Sequence, residues 1–457
     1  MTSYDQFLER KRFMLADAGK TVHRDELHPQ SFGHQKAIVQ WALRKGRAAV
    51  FADTGLGKSL MELDWARHAA DRSILFAPLA VAKQTVREAQ KFGIEAQYAR
   101  SEEEAPKSGI VTANYEMMQY FDPRKYGAVV FDESSILKSY TSKTRDACIE
   151  FAQPIAYRLP ATATPAPNDF MELGNHAELL GVMSRTEMLS MFFVHDGGST
   201  SQWRLKGHAE EEFFAWLATW AVTIRKPSDL GYDDDLYNLP PLNMHHHCIE
   251  TSQDSTDSLF SGEALTLTAQ RKSKRGSLGV RVDRLAELAN SDDQQWIVWC
   301  ELNDEGDALT KAINGAVQVA GSDKLEVKEQ RMLDFADGTI RALVSKPSIC
   351  GFGMNWQHCH NIGFVGVSHS YEQTYQAIRR CWRFGQTRPV DVHMVYADTE
   401  AAIVRNVERK GQDADRMANA MIRQMQSGHE LFSTRRDTLA YEPKIDMRLP
   451  EFIGGRV

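Results

Sequence analysis

The stretch Ala52–Ser59, A-D-T-G-L-G-K-S, constrains the fold most, because it lies between a short apolar strand and a helical pattern. The candidate strand Ala48–Ala52 precedes it, and the helical pattern begins at Leu60–Leu63. Gly55 and Gly57 let backbone amides point inward at phosphate oxygens. A strand, a glycine-rich loop and a helix in this order predict a phosphate-binding loop in a parallel α/β sheet.

Two side chains at the end of this loop suit a nucleotide with its metal ion. The Lys58 ammonium can neutralise the β- and γ-phosphates, and the Ser59 hydroxyl can hold Mg²⁺. The loop residues predicted to bind ATP are Thr54, Gly55, Leu56, Gly57, Lys58 and Ser59.

Short apolar strands alternate with helical patterns in both halves of the chain, which predicts two α/β domains. The first-half strands are Ala48–Ala52, Ile74–Ala77, Ile110–Thr112, Val129–Phe131 and Ala156–Leu159. The second-half strands are Trp296–Trp299, Val317–Ala320, Ala342–Val344, Ile362–Val365 and Val392–Tyr396.

Four segments follow from this alternation. Residues 1–182 are predicted to be the first domain and residues 291–426 the second. Residues 183–290 break the pattern and are interpreted as a helical protrusion with the hinge, including an amphipathic helix over Glu210–Ile224. Residues 427–457 are expected to form a C-terminal arm or tail.

Composition bounds the class of protein. The 457 residues are 42% hydrophobic and 25% charged, which is ordinary for a globular protein. A net charge of −7 argues against coating nucleic acid by bulk charge, but it leaves room for a local basic groove. The basic stretch Arg271–Arg275 is read equally well as a solvated linker or as a DNA-facing surface.

No signal for a membrane or an export pathway is found. No apolar run approaches the ~18 residues of a membrane span, and the N-terminus lacks a signal-peptide core. The six cysteines show no CxxC spacing, so we expect reduced thiols and a cytoplasmic location.

Asp132 and Glu133 directly follow the apolar strand Ala128–Phe131. An acid at a strand end can orient Mg²⁺, and the next carboxylate can act as general base on an attacking water. An acidic pair after a strand is usually a solvated turn. Its place after Lys58 in the same predicted sheet favours a catalytic pair, with Asp132 as the metal residue.

Arg380 and Arg383 lie three residues apart on a predicted helix over Tyr371–Phe384, so they would share roughly one face. Their planar guanidinium groups suit the oxygens of a γ-phosphoryl group. A surface helix with salt bridges is the alternative, and it would be preferred if the phosphate loop were absent.

Other sequence features favour a structural role over metal binding or base stacking. The clusters His245–Cys248 and His358–His360 lack the paired spacing of a structural zinc site. Trp203, Trp216 and Trp220 could stack on bases, but packing in the core of the middle segment is the preferred interpretation.

The order of these stretches resembles that of superfamily 2 helicases and translocases, and among them the Swi/Snf-type double-stranded DNA translocases. The resemblance runs from about Phe32 to Lys410. It is carried by the following stretches: Phe32–Gln35, Ala52–Ser59, Ala77–Leu79, Thr112–Glu116, Asp132–Ser135, Ala161–Asn168 with Glu172-Leu173, Ile297–Trp299, Gly351–Gln357 and Gln376–Gln386. Ser134 and Ser135 depart from the family's pattern, because they replace the histidine that often couples ATP to the next motif.

The resemblance implies two RecA-like domains in tandem, with Arg380 and Arg383 as arginine fingers. Three further residues would bind ATP: Gln35, Gly353 and Gln376. Five would contact nucleic acid or couple it to ATP: Pro78, Thr112, Thr162, Thr164 and Asn355.

The implied function is an ATP- and Mg²⁺-dependent motor that moves along duplex DNA. A strand-separating DNA or RNA helicase is one alternative, and an ATP-gated nucleic-acid clamp or loading module is another. The compact size is similar to that of phage- or prophage-encoded members, which would place the chain in a bacterial host with replication or recombination proteins as partners.

Overall fold

The structure is a computed structural model that describes residues 17–139, 141–195, 203–234, 237–250, 276–350 and 355–427. Three sequence-based predictions lie outside these residues. They concern the nucleotide contact of Gly353, the basic stretch Arg271–Arg275, and residues 428–457 of the C-terminal arm.

Apart from β3, which was not predicted, the described strands overlap the predicted apolar segments or lie in the middle segment. They are β1 (Ala49–Ala52), β2 (Arg72–Ala77), β3 (Ala96–Tyr98), β4 (Gly109–Asn114), β5 (Ala128–Asp132), β6 (Tyr157–Ala161), β7 (Phe193–His195), β8 (Trp203–Leu205), β9 (Ala221–Ile224), β10 (Leu242–Ile249), β11 (Trp296–Cys300), β12 (Ala316–Val319), β13 (Ala342–Ser345), β14 (Asn361–Val365) and β15 (Val390–Ala397).

The α-helices alternate with these strands in both halves. They are α1 (Gly33–Lys45), α2 (Lys58–Ala69), α3 (Leu79–Lys91), α4 (Lys143–Ala152), α5 (Leu173–Leu180), α6 (Arg185–Phe192), α7 (Glu210–Ala218), α8 (Leu278–Ala289), α9 (Asn303–Ala312), α10 (Leu325–Ala336), α11 (Pro347–Cys350), α12 (Tyr371–Ile378) and α13 (Ala401–Ser427).

Two parallel sheets confirm the predicted α/β fold class. The first has seven strands in the order β3-β4-β2-β5-β6-β1-β9, and the second has six in the order β10-β15-β14-β11-β13-β12. Strands β1, β5, β11 and β14 are buried along their whole length. Continuous apolar strands of this kind are typical of sheets covered by helices on both faces.

The middle segment contributes a strand to each sheet. Strand β9 pairs with β1 over four residues at the edge of the first sheet, and β10 pairs with β15 over eight residues at the edge of the second. The helix predicted over Glu210–Ile224 is therefore wrong at its end, because it stops at Ala218. The β-branched run Val222–Ile224 fits a buried strand better than a helix. The domain limits at residues 182 and 290 stay predictions.

The tryptophans of the middle segment pack against other side chains, as expected. Trp216 and Trp220 are buried in the first domain's core, where their rings lie 5.3 Å apart. Strands β7 and β8 form a separate antiparallel pair. Trp203 on β8 stacks against His195 on β7, with ring centroids 3.7 Å apart.

The predicted helix over Tyr371–Phe384 also ends early, at Ile378. Beyond it, the amide of Arg380 donates to the Ala377 carbonyl and that of Cys381 to the Ile378 carbonyl. These bonds span three residues instead of four, so the chain tightens into a turn. Both predicted arginine fingers therefore lie past the helix end.

The last described helix returns to the first domain. On α13, Arg416 pairs with Glu210 at 2.6 Å, and the Met421 sulfur accepts the Thr223 hydroxyl at 3.1 Å. All six cysteines are free thiols, as predicted. Within the described residues, no helix is long and apolar enough to cross a membrane.

Candidate active site

Three neighbouring strands of the first sheet end at the candidate site. The phosphate loop follows β1, Asp132 ends β5 and is followed by Glu133, and Thr162 follows β6. Strand β6 lies between the other two and pairs with both in parallel. The carboxyl ends of parallel strands meet at one edge, where open α/β sheets bind ligands. The fold therefore brings these predicted residues together.

The loop after β1 has the backbone of a phosphate cradle. Gly55 and Gly57 have φ values of +91° and +78°, which side-chain-bearing residues rarely adopt. A Cβ at Gly57 would lie 2.3 Å from the Gln35 amide nitrogen, so the loop leaves no room for one. The Lys58 Nζ donates to the Ala52 carbonyl at 2.9 Å and thus folds back over the loop.

The structure places Gln35 against this loop. Its Nε2 donates to the Leu56 carbonyl at 2.8 Å, and its Oε1 accepts from the Phe32 amide at 2.9 Å. Gln35 is buried at the start of α1. Its predicted contact with ATP stays a prediction, although its position beside the loop suits one.

Sequence analysis did not identify the aromatic rings beside Gln35. Tyr237 packs edge-on against Phe32 and His34, with ring centroids 6.0 and 5.4 Å away, and it lies 5.1 Å from Phe384 of the second domain. Phe384 also reaches the loop, because a Cβ at Gly55 would lie 3.2 Å from its amide nitrogen. No motif spacing connects Tyr237 with Phe384, so only the fold shows this cluster.

Asp132 and Glu133 occupy an unusual local environment. Burial, together with the charge of Glu133, raises the pKa of Asp132 to about 7. Glu133 has a left-handed backbone, with φ +53° and ψ +49°, and is the one such non-glycine residue in the described part of the chain. Non-glycine residues in this region cluster at functional sites. The Thr162 hydroxyl contacts the Glu133 carboxylate at 3.5 Å.

Glu62 on α2 is a second residue that sequence analysis missed. Its side chain is 1% exposed, and burial together with the nearby Asp132 raises its pKa well above the ordinary value. An acid between Met61 and Leu63 was the available signal, since carboxylates are rarely buried without a partner.

Ser134 and Ser135, which depart from the family's motif, each form a side-chain contact with a residue distant in sequence. The Ser134 hydroxyl lies 3.1 Å from Nε2 of His176, whose pKa burial lowers to about 4. The Ser135 hydroxyl donates to Glu372 of the second domain. Neither His176 nor Glu372 is near these serines in sequence, which is why no spacing could identify them.

The two predicted arginine fingers differ in their surroundings. Burial lowers the pKa of Arg380 to about 10, with Arg383 lowering it and the Glu133 carboxylate raising it. Arg380 therefore lies within electrostatic reach of the predicted general base. Arg383 instead donates to the Asn355 side chain and interacts with Glu88 of α3.

Gln376 is 2% exposed, and neither atom of its side-chain amide has a hydrogen-bond partner among the described residues. A buried amide without a partner is costly, which favours a ligand contact at this position. This agrees with its predicted part in ATP binding, which stays a prediction.

The residues predicted to contact nucleic acid occupy different depths. Pro78 precedes α3 and is partly exposed, while Asn355 is exposed. Thr112 and Thr164 are 0% and 5% exposed, so neither hydroxyl lies at the surface in this conformation. Their roles stay predictions.

The first-domain residues fit a nucleotide with Mg²⁺. The open glycine backbone and Lys58 suit phosphates, and Ser59 with Asp132 offers the oxygen donors that Mg²⁺ prefers. No group of three or more His, Cys, Asp or Glu side chains in the described ranges is arranged to hold a metal. A Mg²⁺ ion here would thus depend on the phosphates for further ligands, as is usual for this metal.

Comparison with known proteins identifies a distant structural likeness. No family model matches this chain, and no curated protein matches it in sequence. Among solved structures, the Sulfolobus solfataricus SWI2/SNF2 ATPase core in complex with dsDNA is similar at 17% sequence identity and a TM-score of 0.43. The match covers 89% of this chain and 97% of that chain. A likeness of this size carries no argument about the activity of this chain.

Proposed function

We propose that this chain is an ATP hydrolase that uses ATP to move along duplex DNA. The observation that carries the proposal is a site built from both domains. Phe384 of the second domain packs on Gly55 of the phosphate loop, and Arg380 lies within electrostatic reach of Glu133. A site shared by two domains can couple hydrolysis to their relative movement.

The first domain would hold the nucleotide. The amides of the Gly55–Ser59 loop and the Lys58 ammonium bind the phosphates, and Gln35 lies beside the loop where it can reach a base. Ser59 and Asp132 would hold Mg²⁺, which neutralises charge on the phosphate oxygens when it is bound.

Glu133 is the proposed general base. Its carboxylate accepts a proton from the attacking water, and the Thr162 hydroxyl limits its orientation. Arg380 supplies positive charge from the second domain, where negative charge develops on the transferred phosphoryl group. The other second-domain residues proposed to contact ATP are Gln376, Gly353 and Arg383.

The proposal that the chain contacts DNA and moves along it rests on the resemblance of its motifs. Pro78, Thr112 and Asn355, with Thr162 and Thr164 as coupling residues, would contact one strand's phosphates or relay the state of ATP. Closure on ATP and opening on product release would then step these loops along the backbone. The phage or prophage origin and the replication or recombination partners stay predictions.

The test compares ATP hydrolysis with duplex DNA, single-stranded DNA and RNA side by side. We expect the largest stimulation by duplex DNA, together with displacement of the third strand from a DNA triplex. The Lys58→Ala variant is the control for contaminating ATPases. Stimulation by RNA alone would contradict the DNA assignment, and hydrolysis unaffected by any nucleic acid would favour the clamp alternative. Duplex unwinding without triplex displacement would favour the helicase.

A further inference from the structure

Helix α12 of the second domain contacts both nucleotide-site stretches of the first domain through one face. The contacting residues are Glu372, Tyr375 and the helix-ending Arg379. They are spaced three and four positions apart, so they lie along one side of the helix. None of the three was identified as a site residue from the sequence.

Arg379 and Tyr375 bind the start of the phosphate loop. The Arg379 guanidinium pairs with the Asp53 carboxylate at 2.5 Å and donates to the Thr54 carbonyl at 3.1 Å. The Tyr375 hydroxyl donates to the other Asp53 oxygen. The Asp53 carboxylate also accepts the Thr54 amide at 2.6 Å, so the same group shapes the loop and receives the second domain.

Glu372 binds the other stretch. Its carboxylate accepts from the Ser135 hydroxyl and from the Lys138 ammonium, the latter at 2.5 Å. Ser135 and Lys138 belong to the 3-10 turn that directly follows Glu133. The side chains of Glu372 and Arg379 are only 8% and 4% exposed, so both charges are enclosed by the contact.

The same contact extends to the segment between the domains. The Arg379 guanidinium lies 4.8 Å from the Trp382 ring centroid, in a cation–π arrangement. The Trp382 indole donates to the Pro240 carbonyl at 2.7 Å, shortly before β10. The loop, the end of α12 and the interdomain segment are thus joined in one chain of contacts.

Arg379 directly precedes Arg380 in the turn beyond α12. A side chain that is fixed on both Asp53 and Trp382 leaves its neighbour little freedom, and Arg380 itself is 8% exposed. Burial of a charge pair contributes little net stability, but its directed hydrogen bonds specify one geometry. The contact therefore suits a role in positioning.

We propose that Glu372, Tyr375 and Arg379 are positioning residues that dock the second domain on the first and thereby place Arg380 opposite Glu133. The role of Arg380 in this statement rests on the proposed function, whereas the docking does not. Asp53, Thr54, Ser135 and Lys138 are the receiving groups.

The first measurement is energy transfer between two dyes on the full chain without nucleotide. One dye is attached to the exposed Cys248 of the second sheet, and the other to a Glu95→Cys substitution at an exposed position of the first domain. We expect Arg379→Gln and Asp53→Asn each to lower the transfer efficiency and to broaden its distribution. Because both remove the same contact, the double variant should match the single variants.

The second measurement is hydrolysis of ATP with duplex DNA. Arg379→Gln should lower kcat about tenfold or more and change the KM for ATP less than about threefold, because a misplaced group costs rate more than binding. Arg388→Gln is the matched control, since the Arg388 guanidinium donates to Gln294 and to the His358 carbonyl of its own domain. Tyr375→Phe, which removes one hydroxyl, should give a smaller change in both measurements and guards against misfolding of the charged variants.

The domain docking and the proposed function can be refuted independently of each other. Unchanged energy transfer in Arg379→Gln and Asp53→Asn would overturn the docking, whatever the ATPase result. If Arg379→Gln and Asp53→Asn lower the energy transfer but the parent protein hydrolyses no ATP, the docking is retained and the proposed function is rejected. A kcat loss in Arg388→Gln equal to that in Arg379→Gln would overturn the positioning role.

Discussion

The two halves of the candidate site are held in different ways. In the first domain, the loop after β1 and the pair at the end of β5 are shaped by their own backbone, with positive φ at Gly55, Gly57 and Glu133. In the second domain, the arginines follow the end of α12 and are held by side-chain contacts, such as that of Arg379 with Asp53.

This difference indicates how each half should respond to substitution. Strand ends in a buried parallel sheet stay in place when one side chain is lost, because the ladder of hydrogen bonds holds them. A turn held by side chains moves when one contact is removed. Variants of the second half should therefore change kcat and leave nucleotide binding almost intact, whereas variants of the loop should change both.

The largest expected effect is the loss of kcat on replacing Arg380, which should exceed the loss on replacing Arg383. Arg380→Gln should lower kcat about 10³-fold, the lower end for an arginine finger. Arg383→Gln should lower it about tenfold, through loss of its hydrogen bond to Asn355. Steady-state hydrolysis at saturating ATP measures both. Equal losses, or a larger loss for Arg383, would contradict the assignment of Arg380 as the residue opposite Glu133.

Removal of a phosphate-loop side chain from the first-domain half of the candidate site should weaken nucleotide binding as well as lower kcat. Lys58→Ala should lower kcat about 10²- to 10³-fold and weaken ATP binding, because the ammonium contacts charge in both ground and transition states. Hydrolysis and nucleotide titration measure the two effects. The exposed Lys91 at the end of α3 provides the control, Lys91→Ala. Parental activity in Lys58→Ala would make the site assignment wrong.

Glu133→Gln should separate chemistry from binding within the first half. Removing the general base should lower kcat about 10²-fold, with ATP affinity retained. A single-turnover measurement with a parallel binding titration distinguishes this from the Lys58 variant. Loss of ATP affinity in Glu133→Gln would indicate that the carboxylate serves the metal instead.

The smallest expected effect concerns stability and pH. The pKa of buried His176 is about 4 in the folded chain against an ordinary 6.5, so the unfolded chain binds more protons between these values. This contribution to stability is present above pH 6.5 and is lost as the pH falls towards 4. At pH 5 the loss is about 2 kcal/mol.

His176→Gln should remove this part of the pH dependence. Denaturant unfolding at pH 7 and pH 5 is the measurement, with the difference between the two pH values compared in the parent and the variant. His34 and His393 also have pKa values of about 4, so the variant should keep part of the loss. An unchanged difference would show that His176 does not titrate as proposed.

The sequence predicted the fold class and the strand ends at which the first half of the candidate site lies. The phosphate loop and the acidic pair follow from local pattern, because a strand, its turn and its helix are contiguous. The predicted helices over Glu210–Ile224 and Tyr371–Phe384 both ran too far. In the first case strand pairing with β1 prevails over helical periodicity, and in the second the chain tightens after Ile378.

Local pattern in the sequence identified the Ala52–Ser59 loop and the pair Asp132-Glu133 at strand ends of the first domain, and the arginine-rich stretch of the second. Only the tertiary structure decided that Arg379 binds Asp53, that Glu372 binds Ser135, and that Arg380 and Arg383 have different neighbours. The reason is physical. Contacts within one strand–turn–helix unit leave a periodic trace in the chain, whereas contacts between domains depend on how two rigid bodies dock.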